Sequence, residues 1–353
     1  MRGFMIGALL ASMLTTPVPP RAAATPAPTR TSVFFQVHNT NRSALACNSD
    51  GRAYEIRGDL VTPHGPVPAR VTLALHEFSF GRFFWSFTDA PSYDFAARMA
   101  QAGHAWVVID RLGYDASGHP AGNATCLGAQ ADVTAQIVRA LRTGTYRTNR
   151  ATAPRFKEVL LAGHSVGGGI AELTAHSFAD LNLAGLILFA WADQSYSSRT
   201  IRQSLDQGAD CARGGEPAEA GGPVGYAFFG RTERDFQANM FFDGDWSVIQ
   251  AATRKRNRDP CGDNATLARL AVVNRLGVAR LRFPVLLVFG DEDPAFQEGA
   301  AEQQAGLFSA STAVTVHHVP RAAHALTLER AAPVTHAHVL GWLRSLQPRT
   351  TAS

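Results

Sequence analysis

Short apolar runs recur along the chain, separated by stretches with helical periodicity. Residues 71–75 (VTLAL), 105–109 (AWVVI), 159–162 (VLLA), 183–190 (LAGLILFA), 283–289 (FPVLLVF) and 313–316 (AVTV) have the length and apolar content of buried strands. Between them, 93–102 places Phe95, Met99 and Ala102 on one helical face, and 127–141 does the same with Ala131, Val133, Ile137 and Leu141. Further helices are predicted directly after residue 167, with Ile170, Leu173, Thr174 and Phe178 in its pattern, over 298–308 and over 331–346. Residues 52–62 alternate in the manner of an antiparallel edge strand, and 63–68 form a turn. Strands alternating with helices in this order predict an α/β fold, a mostly parallel central sheet with helices on both faces.

The alternation stops at Trp191. Residues 191–281 are polar, Gly-rich around Gly214, Gly215, Gly221 and Gly222, and otherwise helical over 199–207, 233–240, 246–256 and 264–276. Ninety-one residues are too many for a loop. They predict a mainly helical cap inserted into a core made of 32–190 and 282–348.

The first 24 residues change the picture of where the protein works. An early arginine, an apolar run from Phe4 to Leu14 and the small residues Ala22, Ala23 and Ala24 fit a secretory signal peptide cleaved near Ala24. The run is too short to span a bilayer, so no stable membrane insertion is expected after cleavage. Residues 25–31 read as a flexible, proline-rich lead-in. Export gives meaning to the four cysteines, since an even count in an oxidising compartment implies bridges. Of three possible pairings, Cys47 with Cys126 and Cys211 with Cys261 is favoured, because the first two flank the early core and the last two share one insertion.

Charge adds little. The net charge of +4 comes from scattered arginines, and the cluster 254–258 (RKRNR) reads as a solvated helix end. No nucleic-acid partner is expected. Neither C-x-x-C nor H-E-x-x-H spacing occurs, and no metal or other cofactor is expected.

Candidate chemistry centres on Gly163-His164-Ser165-Val166-Gly167, a G-x-S-x-G match lying between an apolar strand and a helix. In that context the serine stands at the tip of a strained turn, with glycines where a Cβ would collide. Upstream, the strand 71–75 runs into His76-Glu77-Phe78-Ser79-Phe80-Gly81, and the next strand into Asp110-Arg111-Leu112-Gly113.

This order of strand, histidine loop, D-R-x-G loop, GHSVGG elbow, insertion and a late G-x-x-D strand resembles the α/β-hydrolase superfamily from about residue 54 to 346. It is most similar to secreted bacterial serine hydrolases of the capped, esterase-like branch. The resemblance implies a Ser-Asp-His triad, with Ser165 as nucleophile, Asp293 as acid and His324 as base. Asp291 and Asp193 are the substitutes for the acid. The oxyanion donors implied are the backbone N–H groups of Val166 and Phe78. His76 and His164 resemble positions that orient backbone, and His317 and His318 carry no implied duty.

One departure from the pattern is Glu77, where the superfamily usually has glycine. A carboxylate beside a developing oxyanion would raise the barrier, so Glu77 is expected to face outward or to pair with Arg82 or Arg111. Phe80, Phe83 and Trp85, with the cap's Phe228, Phe229, Phe236, Phe241 and Phe242, supply aromatics for core packing or for an apolar substrate pocket. The expected function is secreted hydrolysis of a small hydrophobic carboxylic ester through an acyl-enzyme, with an apparent pKa for His324 of about 6 to 7. Thioesterase, lactone hydrolase, peptidase, elimination by the same triad, and a non-catalytic binding protein are the alternatives.

Overall fold

The computed structural model describes residues 26–150 and 152–346; the signal-peptide reading of residues 1–24 lies outside them. The chain begins with an antiparallel pair, β1 (Thr29–His38) and β2 (Ala53–Thr62), and continues through β3 (Arg70–Leu75), α1 (Phe95–Gln101), β4 (Ala105–Ile109), α2 (Leu127–Thr143) and the short β5 (Arg147–Thr148). Next come β6 (Glu158–His164), α3 (Val166–Ser177) and β7 (Leu186–Phe189). The inserted stretch carries α4 (Ser198–Ala212), β8 (Tyr226–Ala227), α5 (Glu233–Met240), α6 (Trp246–Arg254), β9 (Asp259–Pro260) and α7 (Cys261–Gly277). The core closes with β10 (Val285–Gly290), α8 (Ala300–Ala305), β11 (Val314–Val319) and α9 (Ala332–Ser345).

Nine strands form one sheet in the order β11-β10-β7-β6-β3-β4-β2-β1-β5. The six from β11 to β4 are parallel, and β2, β1 and β5 extend them antiparallel. Alternation along each central strand divides the core between the two faces. Val159 and Leu161 join α2 and α3 on one side, while Leu160 and Ala162 join α1 and α9 on the other.

Three expectations need correction. β2 is not an edge strand, because β1 covers it along its whole length. Thr29, Arg30 and Thr31 are not lead-in but pair with Thr62, Val61 and Leu60. The stretch 191–281 is also less separate than a cap: α7 packs on α2 and α3, burying Leu270 in the main core. A Cβ at Gly169 would come within 2.8 Å of the Leu270 side chain, so a glycine in α3 permits that approach.

Two disulfides are present, Cys47–Cys126 and Cys211–Cys261, closing loops of 79 and 50 residues. In the chain-entropy account each restricts the unfolded chain by about 4 kcal/mol. Reduction is therefore expected to lower the melting temperature by several degrees in a thermal scan with and without reductant. An unchanged melt would show that the bridges add nothing to stability.

Candidate active site

The site lies at the carboxyl ends of the parallel strands, where loops from four of them converge. Ser165 follows β6 directly and has φ 48° and ψ −122°, a strained conformation for a residue with a side chain. The crowding that requires the elbow glycines is measurable. A Cβ at Gly163 would sit 2.2 Å from the Gly167 carbonyl oxygen, and one at Gly167 would sit 2.5 Å from the Leu75 carbonyl oxygen. Ser165 is thus presented, half-buried, at the N-terminus of α3.

His324 and Asp293 arrive from the loops after β11 and β10. His324 Nδ1 lies 2.8 Å from Asp293 Oδ2, with both side chains buried. Of the substitutes, Asp291 is half exposed and pairs with His318 at 3.2 Å. Asp193 is buried and bound by Gln304 and Asn274. Burial pushes its carboxyl up to about 6, beside Glu172. Neither contacts His324.

Glu77 differs most from expectation. It is 4% exposed and points inward, with Oε2 3.1 Å from His324 Nε2. Arg82 instead pairs with Asp110, and Arg111 with Asp263 at 3.1 Å. Repulsion of the developing oxyanion holds only where the carboxylate has no cation beside it. A histidine cation within hydrogen-bonding distance reverses its sign. Burial raises the Glu77 carboxyl above the ordinary glutamate range, with His324 and a hydrogen bond from Ser165 opposing that rise. For His324, burial disfavours the cation, but Asp293 and Glu77 together outweigh it and bring the imidazole up to about 10. The expected value near that of a free histidine is therefore replaced by a cation flanked by two carboxylates.

The other two histidines orient backbone. His76 Nε2 accepts from Arg111 N–H at 3.0 Å, so its Nδ1 donates to the Glu77 carbonyl at 2.7 Å. His164 Nε2 donates to the His324 carbonyl at 2.9 Å. Burial holds both imidazoles well below their usual range, and therefore neutral.

Loops around the site are tied to the inserted segment. Asp259, fully buried at β9, accepts from Ser79 N–H (2.7 Å), Phe229 N–H (3.2 Å), Tyr114 hydroxyl (3.1 Å) and Gln207 Nε2 (2.9 Å). Glu329 accepts from the N–H groups of Ala323, Phe242 and Asp243, which fastens the His324 loop to the end of α5. Val166 and Phe78 are both buried and line the same cleft as Ser165. Among the described residues, neither backbone N–H has an acceptor.

The cleft beside Ser165 is walled by Phe78, Trp191, Phe229, Met240, Leu267 and Phe296. Phe80, Phe83 and Trp85 do not line it. They are buried in the core with Phe84, Phe95 and Phe189, because the chain around Gly81 packs on the sheet face that α1 and α9 cover. Of the five cap phenylalanines, Phe229 reaches the cleft and Phe236 packs on Phe80. Trp191 and Phe296 had a signal in the sequence, since each follows a core strand by only a few residues.

Among the described residues, Glu77, His164 and His324 bring three metal-type donor atoms within 4.8 Å of one another. Glu77 Oε2 and His324 Nε2 already bond to each other, while His164 Nδ1 lies 4.0 Å from the other Glu77 oxygen.

The model of the alpha/beta hydrolase family matches residues 60–337. The chain belongs to that family. Nothing among curated proteins matches it. It is similar in structure to a thermophilic esterase from Thermogutta terrifontis, with a TM-score of 0.60 at 21% identity over 89% of this chain and 100% of the other. An esterase from Exiguobacterium antarcticum gives 0.59 at 14% identity, over 86% and 98%. A thioesterase domain from the curacin biosynthetic pathway gives 0.52 at 14%, over 87% and 99%. At these identities the likeness is one of fold. Among the described residues, no helix of this alpha/beta hydrolase is long and apolar enough to cross a membrane.

Proposed function

We propose that the protein is a secreted serine hydrolase that cleaves a small hydrophobic carboxylic ester through an acyl-enzyme on Ser165. The observation that carries this reading is the convergence of Ser165 at the elbow and His324 on one mostly apolar cleft, with His324 held from behind by Asp293 at 2.8 Å. A serine hydroxyl needs its proton managed as it attacks, and the buried imidazole and carboxylates gathered beside it can do that. The N–H groups of Val166 and Phe78, the first at a helix N-terminus, are available to the tetrahedral oxyanion. The apolar walls favour an uncharged acyl group. Two disulfides support an extracytoplasmic location.

A panel of p-nitrophenyl esters tests the substrate class. Apolar acyl groups are expected to give kcat/KM at least about tenfold above acyl groups ending in a carboxylate. Equal rates, or a preference for the charged series, would overturn the assignment of an apolar acyl site.

A further inference from the structure

Glu77 is the one acid at this site to which the Ser-His-Asp scheme gives no duty. Its carboxylate occupies the hydrogen-bonding position on His324 Nε2, at 3.1 Å, that the scheme reserves for the serine. Ser165 lines the same cleft beside Glu77 and His324, and its hydroxyl helps to hold the Glu77 carboxyl down against the effect of burial. The backbone from which it projects is held, because the His76 imidazole is clamped between Arg111 N–H and the Glu77 carbonyl. Its second oxygen lies 4.0 Å from His164 Nδ1, and among the described residues neither atom has a hydrogen-bond partner. A carboxylate so placed has one strong compensation, the His324 cation, and that cation is held from its other side by Asp293. The titratable groups facing the Glu77–His324 pair are Asp293 after β10, the neutral His164 ending β6, and the neutral His76 after β3.

We propose that Glu77 is the acceptor of the Ser165 proton, and that His324, held as a cation between Glu77 and Asp293, is the donor to the leaving group. The proposal rests on the ester-hydrolase reading above. As Ser165 Oγ bonds to the carbonyl carbon, its proton passes to Glu77 and the carbonyl electron pair moves onto oxygen, facing the Val166 and Phe78 N–H groups. Collapse breaks the bond to the alcohol oxygen, which takes the proton from His324 Nε2. Glu77 then returns its proton to the neutral imidazole across the 3.1 Å contact. Water repeats the sequence. Its proton goes to Glu77, its oxygen bonds to the acyl carbon, and Ser165 Oγ leaves with the His324 proton. The carboxylic acid is released, and the Glu77 proton moves back to His324. Acid and base are thus separate groups, both correctly charged before substrate arrives.

Glu77→Gln in the full chain, assayed on an aliphatic ester across pH, tests this. The expected result is a kcat lower by about a hundredfold or more, KM within about threefold, and loss of the acidic limb of the pH profile. Glu77→Asp, which keeps a carboxylate, recovers part of the rate and restores that limb. The unsubstituted protein is expected to slow as pH passes the titration of His324. A Glu77→Gln rate within threefold of the parent or above it, or a parent rate that climbs through the His324 titration, would overturn the proposal. If Glu77→Gln does not fold, judged by its melting curve, the Glu77→Asp variant and the parent pH profile decide. Hydrolysis surviving in Ser165→Ala would instead sink the underlying ester-hydrolase reading, whatever Glu77 does.

Discussion

Ser165→Ala is expected to lower kcat/KM for p-nitrophenyl esters by at least about four orders of magnitude and to abolish covalent labelling by a fluorophosphonate probe. The expectation follows from the elbow. Its strained φ of 48° orients one hydroxyl toward the cleft, and the glycines on either side leave no room for a different turn. Alanine keeps the backbone donors of Val166 and Phe78, so binding and oxyanion stabilisation survive, but no bond to the acyl carbon can form. Labelling followed by gel fluorescence separates this reading from that of a binding protein on the same scaffold. Robust turnover or labelling in the alanine variant would show that another residue is the nucleophile.

Asp293→Asn is expected to cost about 10^4 in kcat with an intact fold. The carboxylate at 2.8 Å from His324 Nδ1 orients the ring and is the foremost of the charges that sustain the imidazolium. Asparagine removes the charge, and if its amide nitrogen turns toward the ring it imposes the wrong tautomer. Asp291→Asn is the control. That carboxylate is exposed and bonded to His318, so its loss should leave kcat within about twofold. Steady-state kinetics on the two variants settle which aspartate is used. Equal losses, or a larger loss for Asp291, would reverse the assignment.

Much of this was legible in the residues because it is local. The runs at 71–75, 105–109 and 159–162 are strands since consecutive apolar residues have both faces of a sheet to fill. Glu233–Met240 is a helix with a capping box from Thr232 and Asp235, a signal contained in four residues. What escaped depends on distant partners. Thr29–His38 follows two prolines and becomes a strand only through its pairing with Ala53–Thr62. The inward turn of Glu77 needs a cation supplied 247 positions away, which no local pattern encodes. Phe80 and Trp85 looked like pocket residues by proximity in sequence, yet the chain carries them beneath the site. Nor does helical periodicity disclose which neighbour α7 will choose.

The four hydrogen bonds gathered by Asp259 have an evolutionary and practical corollary. In many layered enzymes an inserted lid can be traded for another, altering what is accepted while the reactive machinery stays intact. Here a carboxylate belonging to the insertion holds the turn at Ser79, next to Phe78, whose N–H is proposed as one of the oxyanion donors. Reshaping preference and preserving turnover are therefore coupled tasks in this molecule, and a transplanted lid would have to bring its own anchor for that turn.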